Sequence, residues 1–244
     1  MIFYKQVSRP KVLSFDLDNT IYDCETVLRK AEAWFAKYLY ERYQLANPKF
    51  AEYDFWAQIK NQCLANNQAL ANDVTALRAY SLVDAFKLLG KNISKQEAFS
   101  LVAEFVKVRS KGSVSDKMKQ YLRALKQHYE ICAISNGNVD TRILGVDDIF
   151  GIDFRPKIDI YNCKPHADLF IQCAQHYSVD KKEILHIGDD PCTDVMGAVY
   201  AGCQCAWVYR GYTGISPDEH HLKVLPSVSV NDVYELSPWL MPGY

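Results

Sequence analysis

Asp16 and Asp18 stand two residues apart at the end of the apolar run 12–17. Ser135 follows a second apolar run and is itself followed by Asn136 and Gly137. Lys164 precedes Pro165, and Gly188 precedes Asp189 and Asp190, with Asp194 a little further on. Brought together, these groups suit phosphoryl transfer. Several carboxylates at one point repel each other, and some would hold a proton. A hard divalent cation with oxygen ligands relieves that, and Mg²⁺ fits a site with few protein carboxylates. With Lys164, such an ion also offsets the charge of a bound phosphate and keeps Asp16 ionised. Asp16 is then the expected nucleophile, forming an aspartyl-phosphate. Alternate residues of an extended strand point the same way, so Asp18 is expected to face the same substrate. It would protonate the leaving alcohol and later deprotonate the attacking water. The Ser135 hydroxyl and the backbone N–H groups around Asn136 and Gly137 are expected to hold phosphoryl oxygens. Lys164 would stabilise charge in the transition state.

Such a meeting requires elements that end side by side. Residues 12–17 read as a buried strand, and so do 130–135, 184–187 and 204–208. Helical patterns fall between the later strands, over 116–128, 139–144, 165–177 and 194–201, with a last one over 231–236. Strand–helix alternation predicts a parallel sheet covered on both faces, with its ligand site at the C-terminal strand ends. Residues 24–109 break the alternation and read as all helical. Helices are expected over 25–43 and 53–64, separated by a break at Asn47-Pro48. A third runs from an Asp73 N-cap to Leu89 and is closed by Gly90. Ser94 and Glu97 fit a capping box for a fourth, ending near Arg109. The expected architecture is an α/β core of residues 1–22 and 110–244, interrupted by a helical domain of residues 23–109 that stands over the strand ends.

Composition narrows the classes of function. The formal net charge of the 244 residues is −1, which provides no basic excess to hold a nucleic-acid backbone. No apolar stretch approaches the ~20 residues a membrane helix needs, and no signal-peptide core forms near the N-terminus. The eight cysteines show no C-x-x-C or zinc spacing, and the expectation is buried, reduced thiols in a cytoplasmic protein. The histidines, including His186, His220 and His221, show no ligand spacing, and His186 reads as a packed core residue.

FDLDNT, ISNG, CKP and HIGDDPCTD together resemble the four ordered motifs of the haloacid dehalogenase-like (HAD) hydrolase superfamily. Each is short, but all four in order and across the chain make a specific likeness. It implies a Rossmann-like parallel-sheet core with an inserted all-helical, C1-type cap. It further implies that Asp16 is nucleophile and Mg²⁺ ligand, that Asp18 binds the ion through its backbone carbonyl, and that Asp189 is the third protein ligand. Asp194 would act through water or by orienting Lys164. Asp190 would touch the ion or brace its loop, and Thr20 closes the first motif in support. SFDLDNTIYD, NDVTALR, ISNGN and ILHIGDDPCTDVMGA look closer still to bacterial phosphatases acting on FMN and on the phosphorylated ribitylaminouracil intermediate of riboflavin synthesis. The cap residues Asp73, Thr75 and Arg78 begin a helix that could face the active site and are substrate candidates; the expected partner is a small-molecule phosphate ester, and the expected state a monomer or homodimer. Ala76 and Leu77 stand where these relatives carry an aromatic or basic residue, which bears on selectivity. Promiscuous sugar-phosphate or nucleotide hydrolysis, phosphomutase chemistry and carbon–halogen hydrolysis stay open as enzymatic alternatives. A phospho-receiver module is disfavoured because its acidic pair precedes the phosphorylated aspartate.

Overall fold

The computed structural model describes residues 1–44, 53–112, 114–209 and 222–241. The Asn47-Pro48 break and His220 and His221 lie outside them. Among the described residues, seven strands form one sheet in the order β1-β7-β6-β5-β2-β3-β4. Their ranges are β1 Ile2–Phe3, β2 Val12–Phe15, β3 Glu130–Ile134, β4 Asp153–Phe154, β5 Ile184–Gly188, β6 Gln204–Val208 and β7 Val228–Val230. All pairings are parallel except that of β1 with β7.

The central strands are largely apolar because both faces are covered; Ser14 and His186 are buried polar positions within them. Leu13, Phe15, Ile131, Ala133, Leu185 and Ile187 join one buried cluster, packed under helix α5 (Asp116–Lys126). Val12, Cys132, Ile134 and Ile184 alternate onto the other face. There they meet helix α6 (Asp168–Tyr177) and helix α7 (Gly197–Ala201). Full burial of one such Leu or Ile side chain contributes about 1.5–3 kcal/mol. Register aligns the chemistry. Phe15 lies opposite Ala133 on one side and Ile187 on the other. The residues that leave these three strands, Asp16, Ser135 and Asp189, therefore emerge at one end of the sheet.

Between β2 and α5 the chain builds helices α1 (Cys24–Tyr43), α2 (Tyr53–Asn66), α3 (Val74–Leu88) and α4 (Lys95–Arg109). A short helical turn, Gln68–Asn72, joins α2 to α3. These helices share an apolar cluster of their own, which includes Phe35, Leu39, Leu82, Phe86, Leu101 and Phe105. The Asp73 carboxylate caps α3 by accepting from the N–H groups of Thr75 and Ala76. Ser94 caps α4.

Several boundaries differ from those the sequence suggests. β2 stops at Phe15 rather than at residue 17, because the chain turns immediately and Asn19 takes a left-handed φ of 59°. The helix expected from Pro165 begins only at Asp168, and the one expected at 194–201 opens with a wide turn over Pro191–Met196. Of the cysteines, all free thiols, six are buried while Cys163 is half-buried and Cys192 exposed. No helix among the described residues is long and apolar enough to cross a membrane.

Candidate active site

The Lys164 side chain lies under the strand ends with only 1% of its surface exposed. Its ammonium group donates to Asp16 Oδ1 at 2.8 Å, to Asp194 Oδ1 at 2.5 Å and to the Ile134 carbonyl at 2.7 Å. Three N–H donors thus meet three acceptors. Burial alone would lower the Lys164 pKa, but the Asp16 and Asp194 carboxylates outweigh it and hold the group charged. The backbone of Lys164 is fixed as well. The Asn136 amide accepts from Lys164 N–H and donates to Lys164 C=O, both at 2.9 Å.

Asp194 is engaged through both carboxylate oxygens. Oδ1 meets Lys164 and also His186 Nε2 at 3.1 Å, and Oδ2 accepts from the Asp190 N–H at 3.0 Å. Burial would raise its pKa, yet Lys164 and His186 together pull it well below the usual carboxylate range. A Cβ on Gly188 would fall 2.3 Å from the Asp194 carboxyl carbon, so only glycine admits the carboxylate there. His186 in turn lies 3.0 Å from Ser14 Oγ and edge-on to Phe170.

Asp16, Asp189 and Asp194 each offer a carboxylate oxygen within 4.8 Å of the others. Thr20 Oγ1 donates to Asp189 Oδ1 at 3.2 Å, and the Trp207 indole donates to the Asp189 carbonyl at 2.9 Å. The crowding shows in the protonation equilibria. Burial pushes Asp16 up to about 7; Lys164 opposes the rise while Asp194 and Asp18 add to it. Burial, then the charges of Asp194 and Asp16, push Asp189 up to about 8. A hard cation held by these oxygen donors would relieve that crowding, and a donor set of carboxylate oxygens is one that Mg²⁺ fits. Asp190 turns its carboxylate away to accept from Cys192 N–H and Thr193 N–H.

Asp18 has different company from Asp16. Nη2 of Arg109 lies 2.9 Å from both its carboxylate oxygens, and Tyr22 O–H donates to Oδ1. Nη1 of Arg109 donates to Asn138 Oδ1 at 3.0 Å, and Asn138 donates to Thr75 Oγ1 at 3.0 Å. Gly137 lines the other side, where a Cβ would sit 2.6 Å from Asp18 Oδ2. Ser135 is buried beside it, its Oγ accepting from Gly137 N–H at 3.2 Å.

The sequence-derived candidates in the helical segment are dispersed in role. Asp73 is occupied as a helix cap. Thr75 reaches the loop after β3 through Asn138. The Arg78 guanidinium lies 3.9 Å from the Phe105 ring centroid and 3.5 Å from Glu32 Oε1. Arg109, Tyr22 and Asn138 escaped the sequence reading, while His186 is the packed core residue expected, with a contact to Asp194 that was not foreseen. The first two are an ordinary helix-ending cation and an aromatic in a turn. His186 had a faint signal, since it pairs in register with Ser14 and both are polar positions in apolar strands.

The family model described as haloacid dehalogenase-like hydrolase matches residues 10–202. The 5-amino-6-(5-phospho-D-ribitylamino)uracil phosphatase YigB of Escherichia coli (strain K12) is 29% identical over 241 residues, covering 97% of this chain and 99% of YigB. A 2-haloacid dehalogenase from Pseudomonas syringae pv. Tomato DC3000 superposes with a TM-score of 0.79 at 25% identity, over 95% of this chain and 97% of that one. The HAD-hydrolase YfnB from Bacillus subtilis, in a structure bound to magnesium, gives a TM-score of 0.66 at 21% identity, over 96% and 99%.

Proposed function

This chain belongs to the haloacid dehalogenase-like hydrolases, and we propose that it is a Mg²⁺-dependent phosphatase of small-molecule phosphate monoesters, with Asp16 as nucleophile. The observation that carries the reading is the Asp16–Lys164–Asp194 triad beside Asp189 at one end of the sheet, with a second carboxylate, Asp18, held separately two residues along. Carbon–halogen hydrolysis needs a carboxylate nucleophile but neither an acid for the leaving group nor a cation site, so Asp18 and Asp189 favour ester hydrolysis over the reaction named for the Pseudomonas neighbour.

Asp16, Asp189 and the Asp18 backbone carbonyl would hold Mg²⁺. When bound, the ion neutralises phosphate charge and lets Asp16 and Asp189 ionise at neutral pH. Asp16 attacks phosphorus while the phosphorus–oxygen bond to the alcohol breaks, and Asp18 gives that oxygen its proton. Ser135 Oγ and the N–H groups beside it hold the phosphoryl oxygens, and Lys164 balances their charge. Asp18, now a base, takes a proton from water, which attacks phosphorus and frees both phosphate and Asp16. Asp194 and Asn136 keep Lys164 in place from two sides. The helical segment of residues 23–109 acts as a cap over residues 1–22 and 110–244, and Thr75 and Arg78 bear on the leaving group.

The substrate reading joins the phosphorylated ribitylaminouracil named for the Escherichia coli relative with FMN, the candidate from the motif likeness, each a phosphate ester on a ribityl chain. A screen of phosphate release with Mg²⁺ over FMN, sugar phosphates, nucleotides and p-nitrophenyl phosphate tests it. Highest kcat/KM on ribityl phosphates is expected. Interconversion of sugar-phosphate isomers without phosphate release would replace the reading with a phosphomutase, and an even profile with a promiscuous phosphatase.

A further inference from the structure

The Asp18 carboxylate is held by a group from the helical segment. Arg109 is the final residue of α4, and its side chain is buried, with 5% exposed. A guanidinium is always charged, so burying it demands partners. It has them on three elements. Nη2 spans both Asp18 oxygens and lies 3.3 Å from both Tyr22 O–H and Cys24 Sγ, and Nη1 holds Asn138. Asn138 passes the contact to Thr75 on the first turn of α3. A continuous chain of hydrogen bonds therefore runs from α3 through the loop after β3 and the end of α4 to Asp18. Gly137 closes the remaining side of the carboxylate.

We infer that Arg109 is a positioning residue for proton transfer: it aims the Asp18 carboxylate and ties that aim to the seating of the helical segment. The inference rests on the phosphatase reading above, in which Asp18 protonates the leaving oxygen. Without Arg109 the carboxylate keeps, among the described residues, the Tyr22 hydroxyl and can turn about its side-chain bonds. The phosphorus-attacking machinery around Lys164 shares no hydrogen bond with Arg109, so nucleophilic attack is not what the residue serves.

Two esters separate these roles. p-Nitrophenolate leaves without a proton, whereas an alkoxide, such as the ribityl oxygen of FMN, needs one. A well-placed general acid contributes roughly 10²–10⁴-fold, so Arg109→Gln should lower kcat on FMN by at least about tenfold while p-nitrophenyl phosphate loses several-fold less. Arg109→Lys keeps the charge but not both contacts, and should restore part of the FMN rate. Asn138→Ala should show the same bias more weakly. Equal losses on the two esters would make Arg109 a structural residue and overturn the inference, as would faster FMN turnover in Arg109→Gln. If Arg109→Gln does not yield folded protein, the FMN-to-aryl ratio of Arg109→Lys against wild type decides by the same criterion. Wild-type protein that releases phosphate from neither ester would remove the phosphatase reading itself, before any variant is compared.

Discussion

Asp189→Asn should stabilise the metal-free protein, and should do so increasingly as pH rises. Partial burial, and then the repelling charges of Asp194 and Asp16, push Asp189 up to about 8 in the folded chain from an ordinary 3.8. The sign is therefore unfavourable. Above pH 4 the unfolded chain loses this proton while the folded chain keeps it, so folding becomes costlier until pH passes about 8. Each pH unit in that window is worth about 1.4 kcal/mol, so about 4 kcal/mol accumulates between pH 5 and pH 8. Asparagine carries no such charge and still accepts from Thr20. For a chain of this size the difference corresponds to a gap in Tm on the order of 10 °C at pH 8, shrinking toward pH 5. His186, whose pKa burial lowers, acts oppositely below pH 6.5. It is common to both proteins and cancels in their difference. Asp194 is depressed, and its stabilising charge is lost only below pH 4. The assay is calorimetric Tm in EDTA at half-unit steps from pH 5 to 8, for wild type and variant, repeated with Mg²⁺. The ion should raise wild-type Tm more at pH 8 than at pH 5, and raise the variant less. A gap that does not grow with pH, or a variant less stable at pH 8, would refute the claim that these acids crowd a cation site.

Lys164→Met removes a buried cation from between two carboxylates, and breaking such a pair costs roughly 3–5 kcal/mol. Urea unfolding of the metal-free protein at pH 7 should show that loss, and stability equal to wild type would contradict the geometry. Gly137→Ala places a methyl group 2.6 Å from Asp18 Oδ2. Displacement on this scale should lower kcat on FMN on the order of tenfold to a hundredfold, with the unfolding midpoint little moved; unchanged kcat would mean that Asp18 is not held there.

Much of the sheet was legible in the sequence because β2, β3, β5 and β6 are buried on both faces and read as largely apolar runs. β1, β4 and β7 were not. They span two or three residues each and are defined by their partners rather than by any pattern of their own. The polar residues after the central strands were legible for the same reason, and the register of Phe15 with Ala133 and Ile187 brings them together. What the sequence did not reveal is how Asp16 and Asp18 part company. Period-two alternation would aim both along one strand face, but β2 ends at Phe15 and a left-handed Asn19 follows. Asp16 turns to Lys164, 148 positions away, and Asp18 to Arg109, 91 positions away. Neither pairing leaves a local trace. The caps of α3 and α4 were readable because Asp73 and Ser94 act on N–H groups two or three residues ahead.

The central claim is that Asp16 attacks a phosphate ester at a cation site. Initial rates of phosphate release from FMN, for wild type with Mg²⁺, wild type with EDTA and Asp16→Asn with Mg²⁺, test it most directly. Release is expected in the first case and none above background in the other two. Undiminished release by Asp16→Asn, or halide release from a 2-haloacid by a wild type that leaves FMN intact, would contradict it.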